Sequence, residues 1–296
     1  MFHIIKNSLN EVLSKLTGYR ICRSGTVPDL RNNVSDPREG IYHAKSFPFI
    51  MDLPVNLARN WRWFCLTEKS SSPFYVATKR YLKSGDNEQG YLDIHETIKD
   101  YAKLSGVSNP IESLGLLGLR SYYKENMHPL QFVLPWDVGT PLEFYNSWRK
   151  NTLYENKEHG IDSDDFLGAL NCSKEKIELE INRLHKLILS IQEKGFISTP
   201  DNYFGAIIMV DSFNNYVWYV RGGQHRSSIL AAMGWKHLPV KVSQIVYRDE
   251  VAFWPAVTAG YYSQDAALKV FDRIFNADPP PVNQNWIEKV KSYKAN

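Results

Sequence analysis

Residues 216–240 read YVWYVRGGQHRSSILAAMGWKHLPV, and this stretch decides the fold that we predict for the chain. Its aromatic and β-branched start predicts a strand, which ends at the Arg-Gly-Gly of residues 221–223. A helix is predicted to begin at once at Gln224 and to close at Gly234. Residues 238–240, Leu-Pro-Val, open a further extended run. The stretch therefore predicts a strand, a glycine turn, a helix and a second strand in direct succession.

The glycine turn, defined as residues 222–226, has the features of an anion site. Gly222 and Gly223 allow the backbone to approach a ligand closely and to adopt positive φ. The first turn of the following helix presents backbone N–H groups and the positive end of its dipole. The polar side chains available there are Gln224, His225, Arg226, Ser227 and Ser228. We predict phosphate binding by these residues; the alternative is that the glycines serve geometry alone and the basic side chains are solvated or paired.

A long amphipathic helix is predicted over residues 174–194, upstream of the turn. Ser173 is placed to cap its N-terminus and Gly195 its C-terminus. Glu178 lies in its first half. The apolar residues that recur at spacings of four and three are Ile177, Ile181, Leu184, Ile188 and Ile191. They form one stripe, so we expect this face of the helix to pack on a core.

Three segments, in this order, resemble the ParB/sulfiredoxin superfamily. Residues 184–196 (LHKLILSIQEKGF) are similar to the family helix L-x-x-L-x-x-S-I-x-x-x-G-[LIF]. Residues 222–226 (GGQHR) resemble its G-x-H-R loop, and residues 234–240 (GWKHLPV) its G-x-x-x-[IL]-P-[VA] strand entry. The resemblance covers roughly residues 173–246, about a quarter of the chain. It implies an α+β fold with a ParB/sulfiredoxin-like core, a small mixed sheet with flanking helices, and nucleotide or phosphate handling at the loop.

Two departures from the family narrow the chemistry that the resemblance implies. Sulfiredoxins carry a cysteine just before the histidine, whereas this chain has Gln224, which disfavours sulfinic-acid reduction. Free-serine kinases, the members closest in theme, tend to carry an acid before the glycine, where this chain has Gly222. We therefore expect a nucleotide-dependent phosphotransferase acting on a small molecule such as an amino acid or a sugar, with ATP or ADP, or alternatively CTP.

Candidate catalytic residues follow from the same resemblance. His225 is expected to bind a phosphate oxygen or to move a proton. Glu178 is a candidate base, because kinase relatives place a carboxylate near this helix; a solvent-facing glutamate is the alternative. Mg²⁺ would accompany ATP or ADP, and Asp137, in the Pro-Trp-Asp of residues 135–137, is the candidate metal ligand.

Composition restricts the other classes of function. The formal net charge is only +3 over 296 residues, which argues against a protein that coats DNA or a membrane surface. The three cysteines, Cys22, Cys65 and Cys172, are far apart and form no metal motif. We expect a cytoplasmic protein without membrane spans. The alternatives left open are a ParB-like, nucleotide-switched nucleic-acid-binding module, disfavoured by a short proline-interrupted tail, and a non-catalytic nucleotide-binding protein.

Three regions are predicted along the chain. Residues 1–125 would form an N-terminal α/β extension or small domain, including a helix at residues 5–16 and a buried strand at residues 61–66. Residues 126–250 would form the ParB/sulfiredoxin-like domain, and residues 251–296 a helical tail that packs on it. The acceptor substrate and the oligomeric state are left open.

Overall fold

The computed structural model describes residues 27–45, 47–85, 87–197, 199 and 203–295. The helix predicted at residues 5–16 and the cysteine Cys22 lie outside this part of the chain. The described residues form an α+β structure, in which helices flank a five-stranded mixed sheet. None of the described helices is long and apolar enough to cross a membrane.

Five strands build the sheet: β1 (Phe49–Pro54), β2 (Ala58–Arg59), β3 (Phe204–Val210), β4 (Tyr216–Gly222) and β5 (His237–Tyr247). Their order across the sheet is β1-β5-β3-β4-β2. The β1–β5 and β3–β4 pairs are antiparallel, and the β5–β3 and β4–β2 pairs are parallel. The hairpin of β3 and β4 thus lies at the centre of the sheet, and β4 leads directly into the glycine turn.

Helices surround the sheet on both faces. They are α1 (Pro37–Ala44), α2 (Pro73–Ser84), α3 (Asn87–Leu104), α4 (Pro110–Leu114), α5 (Pro141–Lys157), α6 (Lys174–Lys194), α7 (Gln224–Ala232), α8 (Pro255–Thr258), α9 (Gln264–Phe275) and α10 (Gln284–Ala295). Short 3₁₀ turns occur at Val55–Leu57, Trp61–Trp63, Arg248–Phe253 and Pro281–Asn283.

Side chains alternate between the two faces of the central strands, because successive residues of a strand point to opposite sides. On β3, Ile208 packs in one core with Leu230 of α7. Its neighbour Met209 packs in a second core with Phe271 of α9. A third core joins helices α2, α3, α6, α7 and α10, and it contains Trp286. The sheet is therefore covered by α7 on one face and by α9 on the other.

Helix α6 is confirmed with the predicted bounds. The hydroxyl of Ser173 accepts a hydrogen bond from the backbone N–H of Lys176, which caps the N-terminus. Gly195 ends the helix with φ 72°, a conformation that favours glycine. The middle of the predicted stripe, Ile181, Leu184 and Ile188, is fully buried in the third core. The spacing of apolar residues in the sequence thus predicted both the length and the buried face of this helix.

The N-terminal part of the chain shares its sheet with the later part. Strands β1 and β2, residues 49–59, form the two edges of the sheet that β3, β4 and β5 complete. The strand predicted at residues 61–66 is wrong, because Arg62 and Trp63 adopt left-handed backbone angles, with φ 52° and 70°. The chain turns there instead, in a 3₁₀ segment. In the tail, α9 packs on the sheet and α10 on the helical core.

Candidate functional site

Gly223 forms the bend between β4 and α7. It is the N-cap residue of α7, with φ 85°, in the left-handed region that favours glycine. A Cβ atom at Gly223 would lie 2.7 Å from Cδ1 of Phe204, closer than real Cβ contacts come. A Cβ atom at Gly222 would meet nothing closer than 4.0 Å. The geometry therefore requires glycine at the second position of the pair and not at the first.

Gln224, Ser227 and Ser228 direct hydrogen bonds into the protein. The side-chain Nε2 atom of Gln224 donates to the backbone carbonyl oxygen of Val220 at 2.6 Å. The Ser227 hydroxyl donates to the backbone carbonyl oxygen of Gln224 at 3.0 Å. The Ser228 hydroxyl accepts a hydrogen bond from Nδ2 of Asn60 at 2.5 Å. Ser227 and Ser228 are fully buried. The structure thus places both hydroxyls against protein groups, whereas Gln224 also lines a cavity.

His225 is held by a carboxylate and by an aromatic ring. Its Nε2 atom lies 2.9 Å from Oε2 of Glu180, on α6. A carboxylate accepts hydrogen bonds and donates none, so Nε2 carries a proton, and in the neutral form of the ring Nδ1 is the acceptor nitrogen. The ring of Phe74 packs against the imidazole at a tilt of 34°, with the ring centroids 4.0 Å apart. Two contacts therefore fix the orientation of His225.

Glu180 is a buried carboxylate surrounded by cations. Its Oε1 atom lies 2.9 Å from Nζ of Lys176 and 3.1 Å from Nη1 of Arg183. Nζ of Lys176, also buried, donates to Oδ1 of Asn156 at 2.9 Å. Burial by itself would raise the pKa of Glu180; the hydrogen bond and charge of His225, with the charges of Lys176 and Arg183, lower it well below its usual value. Glu180 is thus ionised across the physiological range.

Glu178 does not reach the glycine turn. Its Oε1 atom lies 3.2 Å from Nε2 of His95 and 3.6 Å from Nζ of Lys99, both on α3. Its side chain is 41% exposed, whereas that of Glu180 is 5% exposed. Consecutive helix residues are rotated by about 100°, so residues two apart point in nearly opposite directions. The carboxylate beside His225 is therefore that of Glu180 and not the predicted Glu178.

A cavity of about 430 Å³, here called the first cavity, opens beside the turn. Gly223, Gln224, His225 and Arg226 line it from the turn, and Lys176 and Glu180 line it from α6. Its apolar walls are Phe74, Leu130, Trp148, Phe166, Leu167 and Leu187. The guanidinium carbon of Arg226 lies 5.5 Å from the ring centroid of Phe204. The first cavity therefore combines a helix N-terminus, cationic groups and aromatic surface.

Asp137 lies on the other side of the turn. Its Oδ2 atom accepts a hydrogen bond from Nη1 of Arg221 at 2.7 Å. Burial raises the pKa of Asp137, although the charge and hydrogen bond of Arg221 oppose the rise. Among the described residues, no group of three or more His, Cys, Asp or Glu side chains is arranged to hold a metal ion. Asp137, the candidate metal ligand, is thus already engaged in an ion pair with Arg221.

Glu180 and Lys176 were missed in the sequence, although a helical wheel carries a signal for Glu180. At about 100° per residue, Glu180 lies about 60° from the centre of the apolar stripe, and Glu178 about 100° from it on the other side. A carboxylate so near the stripe is expected to be partly buried and therefore to need cationic partners. Lys176, four residues earlier, is in the position to supply one.

The chain matches no family model, no curated protein and no solved structure. The resemblance of its three segments to the ParB/sulfiredoxin superfamily therefore stays a prediction, and the function is argued from the site itself.

Proposed function

We propose that this protein is a nucleotide-dependent phosphotransferase, built on a ParB/sulfiredoxin-like core, that holds nucleotide phosphates at the glycine turn. The observation that carries the proposal is the placement of His225 and Arg226 in the first cavity, at the start of α7, with His225 fixed by the buried Glu180. A helix N-terminus with a basic first turn suits a phosphate group.

The charges around the first cavity favour an anion. Two permanent cations, Lys176 and Arg226, line the cavity with two carboxylates, Glu155 and Glu180. Both carboxylates also pair with Arg183, which lies outside the lining. The backbone N–H groups of the first turn of α7 have no carbonyl partner within the helix, and they add partial positive charge. Arg226 offers the planar fork that pairs with two phosphate oxygens at once. This balance supports binding of a phosphate tail.

The apolar walls of the first cavity suit a nucleobase. Phe166 and Trp148 meet edge to face, with ring centroids 5.5 Å apart, and Phe74 lies beside His225. Aromatic side chains stack on bases and provide affinity with little dependence on base identity. ATP, ADP and CTP are therefore all candidate ligands, and direct measurement distinguishes between them.

In the proposed reaction, an acceptor hydroxyl oxygen attacks the γ-phosphorus of ATP. The new P–O bond forms as the bond to the β,γ-bridging oxygen breaks, so ADP leaves with that electron pair, and the hydroxyl proton passes to Nδ1 of His225. Glu180 acts as a positioning residue, since its hydrogen bond to Nε2 fixes the tautomer and stabilises the imidazolium that forms. Asp137, already paired with Arg221, does not fit the role of a Mg²⁺ ligand, and no step uses it.

The test begins with nucleotide binding. Thermal shifts are measured with ATP, ADP and CTP, with and without Mg²⁺, for the wild type, Arg226→Ala and Arg248→Ala. Arg248 is the matched control, because its guanidinium pairs with Asp272 and does not line the first cavity. We expect at least one nucleotide to stabilise the wild type and the control, and to stabilise Arg226→Ala much less. Equal thermal shifts in all three proteins would show that the glycine turn does not bind the nucleotide.

Catalysis is tested separately, by following transfer of the γ-phosphate from ATP to pools of amino acids and sugars. His225→Gln keeps polarity at the position and removes the base, so we expect binding to persist and transfer to be lost. Transfer that survives His225→Gln excludes His225 as the base. Nucleotide binding with no transfer to any acceptor would assign the chain to the non-catalytic nucleotide-binding class.

A further inference from the structure

Helix α5 forms one wall of the first cavity. Trp148, Thr152 and Glu155 line the cavity from this helix, and the facing wall belongs to α6 and to the first turn of α7. Within the described chain, α5 buries three of its 17 residues, namely Pro141, Thr152 and Asn156. Helix α6, in contrast, buries a continuous apolar stripe in the third core. The wall formed by α5 is thus held by little buried surface, which is typical of elements that open locally.

Two polar contacts join the C-terminal half of α5 to α6. Oδ1 of Asn156 accepts a hydrogen bond from Nζ of Lys176 at 2.9 Å. Oε1 of Glu155 lies 3.0 Å from Nη2 of Arg183. The side chain of Glu155 is 50% exposed, and ion pairs as exposed as this one contribute little to stability. These two contacts, here called the latch, are therefore weak enough to break and re-form while the rest of the protein stays folded.

A glycine with positive φ stands at each end of the segment that contains α5. Gly139 has φ 118° and Gly168 has φ 93°. The chain beside each glycine is anchored to the rest of the fold. Asp137 is paired with Arg221, and the carbonyl oxygen of Gly168 accepts a hydrogen bond from Nη2 of Arg62 at 2.7 Å. Hinges are a few residues that absorb changes in φ and ψ, and glycine absorbs them with the least steric cost.

The segment between the two glycines is tied to itself. Nδ2 of Asn156 donates hydrogen bonds to the backbone carbonyl oxygens of Ser163 and Asp165, at 2.9 and 3.0 Å. Nε of Arg149 donates to Oδ2 of Asp164 at 2.9 Å. These bonds fasten the loop that follows α5 to the helix, so we expect helix and loop to move as one body.

From this arrangement we infer that residues 139–168 form a lid over the first cavity, which opens at the latch and turns about Gly139 and Gly168. A ligand that fills the first cavity contacts both of its walls. It therefore binds the closed lid more tightly than the open lid, and it shifts the population towards the closed state. The choice of a nucleotide as this ligand rests on the proposed function, whereas the hinge and the latch do not.

The latch also reaches the histidine of the proposed site. Lys176 and Arg183, the two cations of the latch, both bind Oε1 of Glu180, and Oε2 of Glu180 binds His225. Closure of the lid therefore completes the polar contacts of the cations that hold this carboxylate. A closed lid also keeps water away from a bound ligand, which is a common role of lids at sites of group transfer.

The experiment is amide hydrogen exchange of the full chain, measured by mass spectrometry on peptides from α5 and α6 at urea concentrations below the unfolding transition. Without any ligand, we expect α5 to exchange at least about ten-fold faster than the buried part of α6. We expect this exchange to depend little on urea, because the opening exposes little surface. Exchange of α5 at the rate of α6, with the same dependence on urea, overturns the inference.

Variants of α5 test the latch. Glu155→Ala removes the ion pair with Arg183, so we expect α5 to exchange roughly two- to five-fold faster than in the wild type, and α6 to be unchanged. Lys150→Ala is the matched control, because Lys150 is an exposed residue of the same helix outside the latch. We expect it to exchange as the wild type does. Equal exchange of α5 in the two variants would show that the latch does not hold the lid, and the inference fails.

The response to a ligand separates this inference from the proposed function. ATP with Mg²⁺ is added to the wild type, and the thermal shift reports whether it binds. If it binds, we expect saturating ATP to slow the exchange of α5 at least about ten-fold. Binding that leaves the exchange of α5 unchanged overturns the inference. If no nucleotide binds, the proposed function fails, and exchange in the ligand-free protein and its variants decides whether the lid exists.

Discussion

The carboxylate of Glu180 and the imidazole of His225 are joined across 45 residues of sequence, with Oε2 and Nε2 2.9 Å apart. This hydrogen bond ties α6 to the first turn of α7, the element on which the proposed phosphate site depends. Because Glu180 also binds Lys176 and Arg183, the same contact connects the glycine turn to a buried network of charges. The stability of the fold and the orientation of the site are therefore coupled.

The first prediction compares two glutamates on one helix. Glu180→Ala removes the carboxylate that neutralises the buried Lys176, and breaking a buried pair in this way costs about 3–5 kcal/mol of unfolding free energy. Glu178→Ala removes a partly exposed carboxylate, and we expect a loss of less than about 1 kcal/mol. Urea unfolding of both variants checks this. Equal losses would show that the network around Glu180 contributes little.

The second prediction concerns acid. The pKa of Glu180 is lowered in the folded protein, so its stabilising contribution is present above the unfolded pKa of about 4.3 and is lost as pH falls through the folded value. We expect the stability difference between wild type and Glu180→Gln to be largest near neutral pH and to narrow progressively below about pH 5. Urea midpoints measured from pH 7 to pH 3 test this, and parallel curves for the two proteins contradict it.

The third prediction separates packing from ligand binding at Ser228. Its buried hydroxyl accepts the amide of Asn60, itself fully buried, and loss of such a partner costs about 1–3 kcal/mol. We expect Ser228→Ala to lower the melting temperature and to leave the nucleotide affinity within about two-fold of the wild-type value. Arg226→Ala is expected to show the reverse pattern. A large loss of nucleotide affinity in Ser228→Ala would instead indicate that the Ser228 hydroxyl takes part in phosphate binding.

Local elements of this fold were predictable because short-range patterns specify them. The apolar period of residues 174–194 defined α6, and residues 216–240 defined β4, the glycine turn, α7 and the start of β5. The edge strands were not predictable in the same way. The pairing of β1 with β5 joins segments nearly 190 residues apart, as in the register of Met51 with Val240, and no local pattern encodes such a partner.

The charged residues of the site show the same difference between features that local patterns predict and contacts between distant segments. The glycine turn was identified as a candidate site from composition and order alone, but its partners depend on which face of α6 is buried. Glu178 and Glu180 both lie in the first half of α6, and the structure distinguishes them by the direction of their side chains, since Glu180 reaches His225 and Glu178 reaches His95. The ion pair of Asp137 with Arg221 joins residues 84 positions apart, so no local pattern in the sequence predicted it.

The last prediction compares the two glycines of the turn. Gly223→Ala places a methyl group 2.7 Å from the ring of Phe204, at a residue with φ 85°, so both packing and backbone oppose it. We expect a loss of about 1–3 kcal/mol and weaker nucleotide binding, since relief of the clash moves the start of α7. At Gly222 the same methyl group meets nothing closer than 4.0 Å, so Gly222→Ala is expected to change stability by less than about 1 kcal/mol. Urea unfolding and nucleotide titration of both variants measure the contrast. If instead Gly222→Ala is the more damaging change, the close approach of the backbone to a ligand is made at Gly222, where the protein itself leaves room for a side chain.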